Sequence, residues 1–383
     1  MKRIFLDYAS STPIAPEVQT AMEPWLNNFA NPSALYEEAL VAKEAVATAR
    51  GHIAEILIAQ EKEIYFTSGG TESNNIAILG VIRAHKKDGF IPHIVISAIE
   101  HSSVLELEKE IVSQECEVTV VPVNLDGLIE PKDIREALKH NTVLVSIMYA
   151  NNEIGTIQDL HAISRVIQDF KNKNKTTYPY LHTDACQAAL YLPLNVLKLG
   201  VDLLTLDGIK MYGPRGVGML YVRSSVYISP TMFGGGQEHG LRSGTENVPG
   251  IVGLATALEM AEEKKNSECA RLTTLRNIMI EKILALFPQA RLNGSLENRL
   301  PNNINICFPG MDAEFTVISL DIAGISASYS SSCLTLSQNS SSYVVAALGK
   351  PECANSSLRF TMGRETTEGD MEKMVKTLVE VVK

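Results

Sequence analysis

Short apolar runs recur along the chain, and most of the stretches between them carry apolar positions at helical spacing. The runs predict strands over Glu63–Thr67, His93–Ser97, Glu117–Val123, Thr142–Tyr149, Tyr180–Asp184, Asp202–Leu206 and Val217–Val222. The stretches Asn74–Lys86, Ser102–Ser113, Pro131–His140 and Leu160–Asn172 read as amphipathic helices. Strands that are apolar on both faces and alternate with helices predict a mostly parallel sheet covered on both sides. After about residue 250 the texture changes. A long helical pattern over Ile251–Phe287 leads into shorter strands at Asn303–Phe308 and Ser357–Met362 and a closing helix at Glu368–Val382. The expected architecture is α/β, with a large unit over 14–255 and a smaller α+β unit built from 1–13 and 256–383. The boundary is soft, because one helical pattern runs across 250–265.

Composition narrows the function classes. The 383 residues suffice for two cores, and 45% apolar with 20% charged residues is a globular balance that argues against disorder. Lys and Arg number 34 against 44 Asp and Glu, a net charge of −10 that disfavours nucleic acid and anionic membranes as partners. No apolar run has the length of a membrane span, and the N-terminal residues lack a signal-peptide pattern. The six cysteines at 116, 186, 269, 307, 333 and 353 form no Cys-x-x-Cys pair and have no histidine at zinc spacing. Neither structural zinc nor a disulfide framework is expected, and the chain reads as cytoplasmic with reduced thiols.

The densest chemical signal lies between Asp202 and Gly218. An apolar strand runs into Lys210, and Gly213, Pro214, Gly216 and Gly218 force a tight turn behind it. A lysine so placed is poorly solvated and suited to form a Schiff base with an aldehyde cofactor; a surface lysine at a strand end is the plainer reading. Four further features stand at predicted strand ends. Thr67-Ser-Gly-Gly-Thr71 leads into a helix and offers free amides to an anion, or simply a helix cap. Asp184 ends a strand, where it could face a protonated pyridine nitrogen or cap a helix. His101 follows another strand, as a proton carrier stacked on a ring or as a structural histidine. Asn151-Asn152-Glu153 follows a third, as a turn or a ligand group. The carboxyl ends of strands in one open sheet are where such folds place ligands.

These residues, together with longer runs, resemble the cysteine desulfurases of iron–sulfur cluster assembly. Those are pyridoxal-phosphate enzymes of fold type I within the class-V aminotransferases. The resemblance is carried by Phe5–Pro13, Asn31-Pro-Ser33, Phe66–Asn75, Glu100-His101, Ser146–Gln158, Asp184 with Gln187, Lys210, Gly234–Glu238, Arg242–Val248, Cys333 and Arg359–Thr367. It implies a PLP-dependent transferase with a seven-stranded sheet in the large unit, which takes sulfur from L-cysteine and releases L-alanine. It implies that Lys210 holds the cofactor and moves protons, that His101 stacks on the ring, and that Asp184 pairs with the ring nitrogen. Gln187 would bond the phenolic oxygen, and Gly70 and Thr71 the phosphate, with Thr245 reaching it from the partner subunit of a homodimer. Asn152 and Arg359 would hold the substrate carboxylate, Arg359 through its bidentate fork. Cys333 would take the sulfur as a persulfide and pass it to an acceptor or cluster scaffold protein. The segment Ser328–Ser342 has eight serines in fifteen residues, the composition of a mobile polar loop. The other five cysteines read as small core residues.

The chain departs from the pattern at three places. Where relatives have Ser-x-His-Lys, it has Asp207-Gly208-Ile209-Lys210, so two phosphate donors are missing and a carboxylate is added. Ser330-Ser331-Ser332 replaces glycine–serine–alanine before Cys333. Tyr36 and Ala39 replace a histidine and a glycine, which restricts a segment expected to be a moving loop. A non-catalytic scaffold paralogue and a selenocysteine lyase are the alternative functions.

Overall fold

The computed structural model describes residues 3–329 and 341–382. Strand β1 (Ile4–Phe5) precedes two helices, α1 (Pro16–Leu26) and α2 (Glu37–Leu57). The central sheet then begins with β2 (Ile64–Thr67), α3 (Gly70–His85), β3 (His93–Ser97), α4 (Ser102–Leu105), α5 (Leu107–Ser113) and β4 (Glu117–Val121). It continues through α6 (Pro131–Ala137), β5 (Thr142–Ser146), α7 (Leu160–Asn174), β6 (Tyr180–Asp184), α8 (Val196–Leu199), β7 (Leu203–Asp207) and β8 (Gly218–Val222).

The seven strands lie in the order β2-β8-β7-β6-β5-β3-β4. Only β8 runs against the others, pairing antiparallel with β2 and β7, so the sheet is mostly parallel as expected. Every residue of β3, β5 and β6 is buried. That is the signature of strands covered on both faces, and it explains why these runs were continuous rather than alternating. The polar residues among them are satisfied internally: His93 Nδ1 lies 2.8 Å from Thr142 Oγ1, and His182 Nδ1 2.8 Å from Ser146 Oγ. Burial lowers both imidazoles to about 4, so they serve as neutral core polar groups.

Helix α9 (Val248–Leu286) crosses the predicted boundary as one 39-residue helix, with Asn247 accepting the Gly250 amide at its start. Beyond it, β9 (Arg291–Leu292), β10 (Asn303–Cys307) and β12 (Ser357–Thr361) form a three-stranded antiparallel sheet. Helix α10 (Ala313–Ile322), β11 (Ile325–Ser326), α11 (Tyr343–Ala347) and α12 (Glu368–Val382) complete the chain. β1 pairs in parallel with β11 as a separate two-stranded sheet, and Leu6 and Asp7 continue alongside the end of β12, so the N-terminal residues pack with the smaller sheets rather than the central one.

Three expectations need correction. Cys307 and Cys353 form a disulfide, with Cα atoms 5.3 Å apart, in a buried cluster with Ile99, Met148, Val344 and Leu348. The reading of all cysteines as reduced and unpaired fails for this pair. They lie 46 residues apart, and only the pairing of β10 with β12 brings them together. Tyr36 and Ala39 do not sit in a moving loop: Tyr36 caps α2 and Ala39 is fully buried within it. At a helix position alanine is the best former, so the replacement suits the helix. The run expected as one helix over Ser102–Ser113 is two, meeting at Glu106. The loop expected over Ser328–Ser342, including Cys333, lies largely outside the described residues. Among those described, no helix is long and apolar enough to cross a membrane.

Candidate active site

Four parallel strands of the central sheet, β3, β5, β6 and β7, end at one edge, and each delivers a polar group there. After β3 come Glu100 and His101, whose Nδ1 accepts the Ser103 amide at 3.1 Å and so caps α4. After β5 the chain turns through Ala150–Asn152, β6 ends on Asp184, and β7 ends on Asp207, followed by the 3-10 turn Gly208–Lys210. β2 reaches the same edge through Gly69, whose φ of 151° demands glycine, and opens α3 at Gly70. A Cβ on Gly70 would stand 2.8 Å from Cys186 Sγ, so glycine is required there by space.

Together these groups surround a cavity of about 220 Å³. Of the residues implied by the resemblance, Gly70, Thr71, His101, Asn152, Asp184, Gln187, Lys210 and Arg359 all line it. Arg359 arrives from β12 of the second sheet. Thr245 is exposed on the turn before α9 and is not part of the lining, and Cys333 lies outside the described residues.

The lysine and the glutamine share anchors from the N-terminal segment. Lys210 Nζ donates to the Ala9 carbonyl at 3.0 Å and the Ser10 carbonyl at 2.6 Å, and Gln187 Nε2 donates to the Ala9 carbonyl at 2.9 Å. Asp184 is buried and held by two neutral donors, Asn74 Nδ2 at 2.8 Å and the Cys186 amide at 3.0 Å. No cation lies within ion-pair distance of it among the described residues. A buried carboxylate in that state is matched to a protonated ring nitrogen. Arg359 is 2% exposed, bonded to Asp7 Oδ1 at 2.6 Å and to the Asn152 carbonyl at 3.1 Å. Its Nε is buried and has no acceptor among the described residues.

Glu100, the residue before His101, is fully buried. Burial pushes its carboxyl up to about 8, against the pull of Ser97 Oγ at 2.5 Å and the Met148 amide at 2.9 Å. It is a neutral acid at this position over most of the physiological range. Tyr343, at the start of α11, donates to its backbone carbonyl at 2.6 Å and ties the segment before His101 to the smaller sheet's side of the molecule.

The other end of the cavity is different. Asp207 Oδ2 accepts the Gly70 amide at 2.8 Å, and Oδ1 accepts the Ile209 amide at 3.2 Å. The carboxylate sits on the N-terminus of α3. Burial raises its pKa, while the two amides and Lys210 pull it down. Burial also raises the neighbouring Cys186 thiol well above its ordinary value, and Asp184 and Asp207 add to the effect.

The ring end of this cavity fits pyridoxal phosphate, through Lys210, Asp184, Gln187 and His101. At the phosphate end Gly70 and Thr71 are in place, but Asp207 has to release the Gly70 amide before a phosphate can take it. Sequence reasoning missed the partners that hold the site. Asn74 stands one helical turn after Gly70, spacing that puts both on one face of α3 and was available as a signal. Asp7 lay in a run that was matched but given no role, and nothing in the sequence signalled the carbonyls of Ala9 and Ser10.

Residues 4–374 match the model of the class-V aminotransferase family. The chain is 41% identical over 385 residues to the cysteine desulfurase IscS of Dictyoglomus turgidum, covering 100% of this chain and 95% of that relative. A solved NifS-like protein superposes with a TM-score of 0.90 at 32% identity, covering 99% of both chains. A solved structure of SspA in complex with cysteine has a TM-score of 0.80 at 35% identity, covering 94% of this chain and 98% of that one.

Proposed function

The chain belongs to the class-V aminotransferase family, and from that premise we propose that it is a pyridoxal-phosphate-dependent cysteine desulfurase working in the cavity at the strand ends. The observation that carries this reading is the convergence of Lys210, Asp184, Gln187, His101, Asn152 and Arg359, from both sheets, on one cavity. When bound, the cofactor supplies an electron sink for the substrate's α-carbon.

The chain's own residues meet the other demands. Lys210 would exchange the carbonyls of Ala9 and Ser10 for the cofactor and would carry a proton at Nζ. Asp184 would pair with the ring nitrogen, Gln187 would bond the phenolic oxygen, and His101 would help hold the ring and assist proton transfer. Gly70 and Thr71 receive the phosphate. Arg359 and Asn152 orient the cysteine carboxylate. Cys333 attacks the substrate sulfur: the Cβ–S bond breaks, an S–S bond forms on the enzyme, Cβ gains a proton, and alanine leaves.

In the same reading, residues 14–255 form the cofactor-binding unit, and 1–13 with 256–383 the smaller unit that carries Cys333. The enzyme works in the cytoplasm as a homodimer that brings Thr245 to the partner's cavity, and it hands sulfur to an acceptor or cluster scaffold protein. Phe29 at 97% and Leu35 at 91% exposure give apolar surface that suits a second copy. The test is alanine and sulfide release from L-cysteine with a thiol reductant, by cofactor-loaded protein and by Lys210→Ala. Stoichiometric excess of alanine from the native protein alone is expected; none from either would overturn the proposal.

A further inference from the structure

The N-terminus of α3 is the cavity's natural seat for an anion, because its first amides have no partner within the helix. Here the seat is taken by the chain itself. Asp207 Oδ2 holds the Gly70 amide at 2.8 Å, and Gly69 and Gly70 leave just enough room: a Cβ on either would stand 3.1 or 3.4 Å from that oxygen. Oδ1 is fixed by the Ile209 amide of its own turn, so the carboxylate is held from two sides. The charged and titratable groups facing it are Lys210 in the same turn and Asp184 and Cys186 beyond β6, and the α3 terminus adds only its dipole. Ile209 lines the cavity and offers no side-chain donor. A phosphate arriving at this end meets a like charge and an occupied amide, whereas a neutral hydroxymethyl group can donate to the same carboxylate.

We propose that Asp207 is a specificity-determining residue at the phosphate end of the site. By occupying the anion seat on Gly70 it narrows the preference for pyridoxal phosphate over unphosphorylated pyridoxal. The inference rests on reading this cavity as the cofactor site.

The experiment measures dissociation constants for pyridoxal phosphate and for pyridoxal, from the Lys210-dependent visible absorption band. It compares the native protein, Asp207→Asn, Asp207→Ser and a Lys210→Ala control. Asn keeps the shape and an acceptor oxygen, which guards against loss of fold, and comparing variants cancels pyridoxal's own hemiacetal equilibrium. In both Asp207 variants the ratio of the pyridoxal to the pyridoxal phosphate constant is expected to rise at least about tenfold, a change that removal of one like-charge contact readily supplies. Protection of the apoprotein by inorganic phosphate in thermal unfolding is expected to increase in the same order. An unchanged ratio with an intact band overturns the inference and leaves the cofactor site standing. No Lys210-dependent band in any protein at saturating cofactor overturns the cofactor site, and the inference with it.

Discussion

The two ends of the cavity are built on opposite principles. At the ring end, Asp184 is a buried carboxylate held only by neutral donors, so the protein leaves a charge for a ligand to balance. At the phosphate end, Asp207 has already balanced the α3 N-terminus with a charge of the protein's own. One end is incomplete without a ligand and the other is complete without one. The difference shows that the same residue type, at the ends of neighbouring strands β6 and β7, can invite a ligand or stand in for it. What decides is whether the carboxylate lies on a helix N-terminus, as Asp207 does on α3, or on isolated neutral donors, as Asp184 does on Asn74 and the Cys186 amide.

The comparison can be broken most severely at Lys210. Lys210→Ala removes the proposed covalent anchor and proton carrier, and alanine formation from L-cysteine is expected to fall by at least about a thousand-fold. A smaller loss would show that the ring end does not depend on this lysine.

The next largest effect concerns the buried acid next to His101 in the chain. Glu100 stays protonated to about 8 in the fold, whereas its unfolded form titrates near 4.5. Between these values the unfolded state loses the proton first, so stability falls as pH rises through the window, by a total on the order of a few kcal/mol. Glu100→Gln should flatten that slope in denaturant titrations run between pH 5 and pH 8. An equal slope in both proteins would mean that Glu100 ionises normally.

Arg359→Lys keeps the charge and loses the fork. The KM for L-cysteine is expected to rise about tenfold, with a smaller change in kcat. A change confined to kcat would place Arg359's role elsewhere.

At the phosphate end, Gly70→Ala puts a methyl group 2.8 Å from Cys186 Sγ, and a cost of about 1–3 kcal/mol in chemical denaturation is expected. Cys186→Ala in the same chain should recover part of it. Full additivity of the two substitutions would show that they do not touch.

Legibility in the sequence followed burial. β3 and β6 were read to the residue, since strands covered on both faces leave uninterrupted apolar runs whose ends are sharp. β5 was read three residues too long, because Ile147, Met148 and Tyr149 stay buried after leaving the sheet. Helices α1, α2 and α10 went unread, their apolar positions mixed with exposed ones such as Leu40, Val41 and Ile318. In the site, the polar residues at strand ends were visible by position, while their hydrogen-bond partners were not.

The sequence by itself determined the alternation of strands and helices, the polar residues at the strand ends and the glycines before α3. Apolar period and backbone freedom are local properties, written within a few residues of where they act. Only the tertiary structure decided that Cys307 meets Cys353, that Arg359 crosses from the second sheet to Asp7, and that Asp207 lies on Gly70. Each of those contacts joins residues at least 46 positions apart. Its geometry is set by how the sheets pack and by where β2 and β7 end, and no local pattern carries that information.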